Sequence, residues 1–423
     1  MNFGEFVRHR HDAGALVVQP RMGFGDPKQM RAGLLATRAA RAATVGTITL
    51  DSFTRLGDLD SVERALREGL GLNGYPIVSH DPTVTRSMLA DVAGQDFPVQ
   101  VRHGSAAPQD VIRSALAVGL HATEGGPVSY CLPYGRTPLR ESVRNWRESC
   151  ELLAGSGGRP HLETFGGCMM GQLCPPSQLV AISVLEALFF QQNGLTSVSV
   201  SYAQQTNLVQ DQEAIGALRE LCGELLSGVD WHVVVYAHMG RYPSTARGAL
   251  DLLARAAELA VSTGSERLIV KTVAEAHRIP TIEENVAALE HATTAAAATE
   301  PDSMAVAVRH GQVYREARAL IEAVLACHAD IGTALLQAFA RGLLDVPYCL
   351  HPDNAGRTRG YLDADGKLCW ADIGALPLAG LVEPRRQEVT SASFLAALSY
   401  VRNTFDSPAL TVRQMERDHE QVR

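Results

Sequence analysis

A chain of 423 residues that is 46% apolar, with 38 basic against 46 acidic side chains and a formal charge of −8, has the make-up of a globular protein with a large core. It shows no basic stripe for a nucleic-acid backbone and no uncharged apolar run near the ~18 residues of a bilayer span. The start, MNFGEFVRHRHDAG, lacks the apolar centre of a signal peptide, so a cytoplasmic protein with neither nucleic-acid nor membrane partners is expected.

Short β-rich runs recur along the chain: LVVQP (16–20), GTITL (46–50), VQVRH (99–103), GLHATEG (119–125), PHLETFG (160–166), SVSVSY (197–202), WHVVVYA (231–237) and RLIVKT (267–272). Several are continuous apolar runs, as parallel strands buried on both faces require. Helical stretches such as PSQLVAISVLEALFFQQ and STARGALDLLARAAELAVS lie between them. The second opens on Ser244 and Thr245, good N-cap residues, and stops before Gly264. This alternation implies right-handed βαβ units, and eight of them fit an α/β-class (β/α)8 TIM barrel, with an open doubly wound sheet as the alternative. After residue 280 the character changes. ATTAAAAT (292–299) is helix-permissive, 313–344 reads as one or two amphipathic helices, turn-rich sequence follows Asp345, and a last helical segment lies near 391–403. The expected organisation is a barrel over 1–280 with its site at the C-terminal face, and a helical and irregular extension over 281–423 packed on it. Eight cysteines without a C-x-x-C pair suit buried thiols in a reducing compartment rather than a zinc knuckle or disulfide framework.

Barrel enzymes place their chemistry at strand C-termini and in the loops just after them. That rule selects Arg21 in QPRMG, Arg55 in DSFTR and Arg102 in QVRHG, from three successive units. Guanidinium forks match carboxylates bidentately and stay charged, so three at one mouth suit a ligand with two carboxylates or a phosphate; rim pairing with neighbouring acids is the plainer alternative. Glu124, at the fourth strand end, would receive an ammonium, act as a base, or pair with one of the arginines. Tyr130 and Tyr134, flanking Pro133, offer phenolic donors and an aromatic wall. Lys271 and Glu275 read as an ion pair after the eighth strand, and Tyr242 as a wall residue after the seventh. Gly23 and Gly25 would let backbone approach a large flat ligand. A catalytic zinc wants three ligands, and only His103 and His238 fall at strand tops, so no metal site is expected.

QPRMG, DSFTR, LNGYP, VQVRHG, TEGGPVSYCLPY, CPPS, LIVKTVAEAHRIPT and the late GLLDVPY…NAG together resemble the large (epsilon) subunit of adenosylcobalamin-dependent glutamate mutase, or methylaspartate mutase, colinearly from about residue 16 to 375. The resemblance implies a (β/α)8 barrel and a radical carbon-skeleton isomerase interconverting L-glutamate and (2S,3S)-3-methylaspartate. It assigns Arg21, Arg55, Arg102, His103, Glu124, Tyr130 and Tyr134 to the substrate, with Glu124 and Arg102 catalytic. It assigns Gly23, Asn73, Pro133, Tyr242, Lys271, Glu275 and Ile279 to the cofactor, Lys271 and Glu275 holding the adenosyl ribose. No D-x-H-x-x-G occurs, so a small cobalamin-binding subunit would carry that motif and supply the cobalt ligand. A homodimer of large subunits within a heterotetramer is implied as well. The competing readings are a mutase of the same family acting on a 2-hydroxy or 2-oxo dicarboxylate, a metal-dependent barrel hydrolase, and a non-catalytic partner-binding barrel.

Overall fold

The computed structural model describes residues 1–133, 135–169, 173–300, 310–385 and 389–407. Eight strands form one parallel sheet: β1 (Val17–Gln19), β2 (Gly46–Thr49), β3 (Val99–Arg102), β4 (Ala122–Gly125), β5 (His161–Thr164), β6 (Ser197–Ala203), β7 (Asp230–Tyr236) and β8 (Arg267–Ile269). They are ordered β1-β8-β7-β6-β5-β4-β3-β2. The ring closes between β1 and β2 through a parallel bridge from Val18 to Thr44, with the Thr49 amide donating to the Met22 carbonyl at 2.9 Å. This is the (β/α)8 barrel that the apolar runs predict, with each strand on its run or within a residue of it.

The ring of helices obeys its local chemistry. Helix Ala246–Ser262 starts at Thr245, whose side chain accepts from the Gly248 amide, and the chain leaves it through Gly264 at a φ of 62°. Helix Pro176–Gln192 is buried on nearly every side. Helices Gln312–Leu325 and Ile331–Arg341 of the C-terminal extension cover its outer face, which is why its sequence is apolar all round. Helix Ile282–Ala297 packs against both Ala246–Ser262 and Pro27–Ala39 and so stands in the ring; we therefore propose that the barrel ends near residue 300 rather than at 280. None of the described helices is long and apolar enough to cross a membrane.

An N-terminal helix, Phe3–Asp12, seats on the bottom of the barrel. Phe3 stacks on His161 at 5.1 Å and lies under the Arg267 guanidinium, while a Cβ at Gly4 would stand 2.7 Å from Ser197 Oγ. The interior above is polar. Gln19 Nε2 donates to Thr47 Oγ1 at 2.9 Å and to Gln100 Oε1 at 2.7 Å, and Gln100 Nε2 donates to Glu163 Oε2 at 3.2 Å. Arg267 pairs with Glu163, both side chains fully buried, and Ser199 Oγ donates to the same carboxylate oxygen at 3.0 Å.

The extension returns over the top. Asp345 accepts from the amides of Gly356, Arg357 and Thr358, and the Leu139 amide donates to Asp353, tying this turn to the segment after β4. Past helix Ser391–Leu398, Asp406 accepts from the amides and hydroxyls of both Ser244 and Thr245 at 2.6–3.0 Å, closing the start of Ala246–Ser262.

Removing one partner of a dry ion pair strands the other. Glu163→Leu is expected to lower unfolding free energy by about 3–5 kcal/mol, and Glu163→Leu with Arg267→Leu to recover part of it, as measured by urea denaturation.

Candidate active site at the barrel mouth

The upper ends of β3, β4, β5 and β7 bring one cluster together. Glu124 and Glu163 sit opposite each other in the β4–β5 register, so their side chains point the same way, into the barrel. Arg102 donates through Nε to Glu124 Oε2 at 2.6 Å. Tyr236 donates to the same Oε2 at 2.8 Å and also contacts Glu163 Oε1, and Tyr130 donates to Glu124 Oε1. The Arg102 guanidinium lies over the Tyr236 ring, 5.2 Å from its centre. All five groups are buried. Burial works against the Arg102 charge, but Glu124 beside it raises its pKa well above the ordinary value; Tyr236 is held phenolic by burial and by the two carboxylates.

The deciding feature is what Arg102 leaves unused. Its Nε is committed to Glu124, while Nη1 and Nη2 have no protein acceptor among the described residues. A buried guanidinium with an open terminal fork is suited to a carboxylate or a phosphate. His103 adds a neutral donor. Its Nδ1 accepts from the Ser105 amide at 3.0 Å, which places the proton on Nε2, a buried atom with no hydrogen-bond partner among the described residues. Burial and Arg102 push its pKa down to about 3. Tyr130 and Trp146 pack on the imidazole, and Phe165 stands between Tyr130 and Tyr236.

A second group borders the first. Arg21 Nη1 and Lys271 Nζ both reach Glu275 Oε1 at 2.9 Å. Although burial pushes the Glu275 carboxyl up, Lys271 and Arg21 hold it below the usual carboxylate range. Lys271 is pushed down to about 8 by burial, Glu275 resisting. Its ammonium sits 5.2 Å from the ring centre of Tyr242, which is also buried. The chain here is a turn, the Glu275 amide donating to the Thr272 carbonyl, not the helix that an i, i+4 pair would suggest. Two adjoining hollows open beside this group. One of 470 Å³ is lined by Arg21, Gly23, Asn73, Glu275 and Ile279 among others, and one of 530 Å³ by Arg21, Tyr242, Lys271, Glu275 and Arg402.

The remaining sequence candidates distribute as follows. Arg55 lies in the short helix Ser52–Leu56, exposed, without an acid partner among the described residues, and its Cδ would be 2.8 Å from a Cβ on Gly104. It therefore lies beside the chain that leaves Arg102. Asn73 Oδ1 accepts from the Ser52 amide at 2.9 Å. Ile279 is 53% exposed on the rim, and Pro133 is partly buried. Tyr134 lies outside the described residues. Protein packing also crowds Gly23 and Gly25: a Cβ at Gly23 would meet the Thr49 carbonyl oxygen at 2.1 Å, and one at Gly25 would stand 3.0 Å from the Leu72 Cβ, so at Gly23 the neighbouring strand by itself requires glycine. His238 is separately engaged, its Nδ1 against the Gln204 carbonyl at 3.1 Å.

Glu163, Tyr236 and Glu186 are additional to the residues that the sequence singles out. Glu186, inside the apolar helix Pro176–Gln192, is fully buried. Its Oε1 accepts from the amides of Val128 and Ser129 at 3.1 and 2.9 Å, and Oε2 from Ser129 Oγ at 3.0 Å. Gly126 packs on the carboxylate, where a Cβ would stand 2.1 Å away. This latch holds the loop that delivers Tyr130 to Glu124. The signal for Glu186 is a lone charge in an otherwise apolar helix.

Among protein families, the match is to the methylaspartate mutase E chain (MutE) over residues 1–393. The chain belongs to this family. It is 30% identical to the glutamate mutase epsilon subunit of Yersinia enterocolitica over 397 residues, covering 89% of this chain and 81% of that one. It is likewise 30% identical to the Halobacterium salinarum glutamate mutase epsilon subunit over 393 residues, 88% and 80% of the two chains. This member of the MutE family therefore spans most of the length of those relatives.

Burial pushes the Glu186 carboxyl up from 4.5 to about 7. Because the folded value is the higher one, its contribution is complete below the ordinary value and is lost as pH rises through about 7. Glu186→Gln keeps Oε1 for the amides and a donor for Ser129 Oγ. Denaturation at several pH values is expected to show the parent losing up to about 3 kcal/mol relative to this variant as pH rises through that window. Glu186→Leu strands both amides, at on the order of 1–3 kcal/mol each.

Proposed function

We propose that the protein is the catalytic large subunit of a glutamate mutase, interconverting L-glutamate and (2S,3S)-3-methylaspartate. The reading is supported by family membership together with one observation: a buried arginine whose open fork adjoins a buried carboxylate. That juxtaposition suits an amino acid presenting a carboxylate and an ammonium to the same wall. Arg102 would take one carboxylate through its free Nη atoms, with His103 Nε2 as a neutral donor beside it. Arg21 and Arg55, at the adjoining strand ends, would hold the second. Glu124 would receive the ammonium and accept its proton at a carboxylate oxygen when the amino-bearing fragment migrates. Tyr134 completes this proposed set.

The cofactor in this reading is adenosylcobalamin, which supplies hydrogen-abstracting radical chemistry when bound. The chain's residues fit its adenosyl end. Lys271 Nζ uses one of its donors on Glu275, the carboxylate offers acceptors, and Tyr242 gives an aromatic wall, a donor and acceptor pair matched to a ribose diol. Gly23, Asn73, Pro133 and Ile279 would line the same approach. The cobalt ligand would come from a small cobalamin-binding subunit with the D-x-H-x-x-G motif. We further propose a cytoplasmic heterotetramer built on a dimer of large subunits. The barrel's part is to fix the dicarboxylate, keep water out and hold the migrating fragment close.

The test is to combine the chain with adenosylcobalamin and a cognate cobalamin-binding subunit, add L-glutamate, and look for 3-methylaspartate and a cobalt(II)–radical resonance. Absence of product, or turnover only of a 2-hydroxy or 2-oxo analogue, overturns the assignment. Arg102→Lys, which cannot present a fork, is expected to lower kcat/KM by about 100-fold or more with the melting transition retained. Because Lys271 loses its proton near pH 8, the cofactor concentration giving half-maximal turnover is expected to rise between about pH 7 and 9. In Lys271→Met that dependence should flatten.

A further inference from the structure

Within the site one group has a geometry that neither ligand holding nor folding explains by itself. The Tyr236 hydroxyl stands between two carboxylates, 2.8 Å from Glu124 Oε2 and in contact with Glu163 Oε1. Glu163 is not free to turn. It is gripped by Arg267, Ser199 Oγ at 3.0 Å and Gln100 Nε2 at 3.2 Å, all in the dry middle of the barrel. The single phenolic hydrogen is shared between the two carboxylates, so the hydroxyl is held from below by a fixed group and reaches Glu124 from a fixed position. Its ring lies against the Arg102 guanidinium.

Those contacts decide how Glu124 and Arg102 meet. An arginine and a glutamate buried together ordinarily close into a two-bond fork, with both carboxylate oxygens taken by guanidinium nitrogens. Here Arg102 reaches Glu124 through Nε alone, because Oε2 is shared with Tyr236 and Oε1 is taken by Tyr130. Closure into the full fork would cover both the Nη atoms and the carboxylate face, leaving neither an anion site nor a cation site.

We propose that Tyr236, braced by Glu163, is the specificity-determining residue that keeps Glu124 turned away from full pairing with Arg102, so that the site reads an ammonium as well as a carboxylate. This rests on the reading above that the ligand is an amino dicarboxylate. Tyr236 is a positioning residue: it acts on the ammonium through Glu124. In Tyr236→Phe the ring is kept against Arg102 and the hydroxyl is lost. Glu124 Oε2 is then free to take a second guanidinium hydrogen beside the one from Nε, Tyr130 keeping Oε1, and the penalty falls on ligands that carry an amino group.

The experiment compares L-glutamate with glutarate, the same dicarboxylate without the amino group, as ligands of the full chain assembled with its cobalamin-binding subunit. Calorimetric titration gives both dissociation constants for the parent and for Tyr236→Phe. The expected result is at least tenfold weaker L-glutamate binding in the variant, with glutarate changed by less than about threefold; a general loosening of the fold would weaken both. Equal weakening of the two ligands, loss of both, or no change in either overturns the proposal. If the parent itself binds glutarate as tightly as L-glutamate, the amino-dicarboxylate reading fails first, and the proposal falls with it. Turnover supplies an independent arm: Tyr236→Phe should raise the KM for L-glutamate more than it lowers kcat, and an unchanged KM counts against the proposal.

Discussion

The dry pair between Glu163 and Arg267 is the constraint on which the mouth depends. A barrel interior filled with aliphatic side chains would pack well but would offer no fixed polar ledge. Here glutamines, a serine and an ion pair fill the middle layer, joined to one another by hydrogen bonds. Such a pair gives little net stability because desolvation offsets its attraction. What it gives is position. The layer below fixes Glu163, Glu163 fixes the Tyr236 hydroxyl, and the hydroxyl meets Glu124 at the level where ligand chemistry would begin.

The same economy recurs at the edge of the site. The loop after β4 carries Tyr130 and has no regular structure of its own to hold it. Glu186 reaches it from the helix behind and satisfies two amides and a hydroxyl at once. The extension then holds the following segment from outside, through Asp353 on the Leu139 amide and His351 beside the Thr137 carbonyl. A loop fixed at both ends by side-chain hydrogen bonds behaves as part of the scaffold, which a site needs if its donors are to meet a ligand without being reordered first.

The strands were legible because parallel strands covered on both faces must be apolar along their length, and the segments between them had helical length and caps. The arginines were legible because strand ends are short and their loops are polar. Glu163 and Tyr236 were harder to see. In HLET and VVVYA they look like ordinary strand residues, and the pleat that turns them inward follows from register. Once Glu124 is taken to face inward, its partner across the β4–β5 ladder must do so as well. Glu186 was visible only as the lone acid of an apolar helix, and its target amides are nearly sixty residues earlier in the chain. The glycines after β1 are ambiguous for a physical reason: a Cβ-free position records that something approaches closely, not whether that something is a ligand or the neighbouring strand.

Asp406 carries a consequence of a different kind. It stands beyond residue 393, where the family match ends, yet it takes four hydrogen bonds from the start of helix Ala246–Ser262, just after the loop that presents Tyr242 to Lys271. Residues that family comparison leaves out thus clamp one wall of the hollow from outside. Anyone who trims this polypeptide to its shared portion, for expression or crystallisation, would be loosening a hinge pin of the cavity while believing that only a tail had been removed.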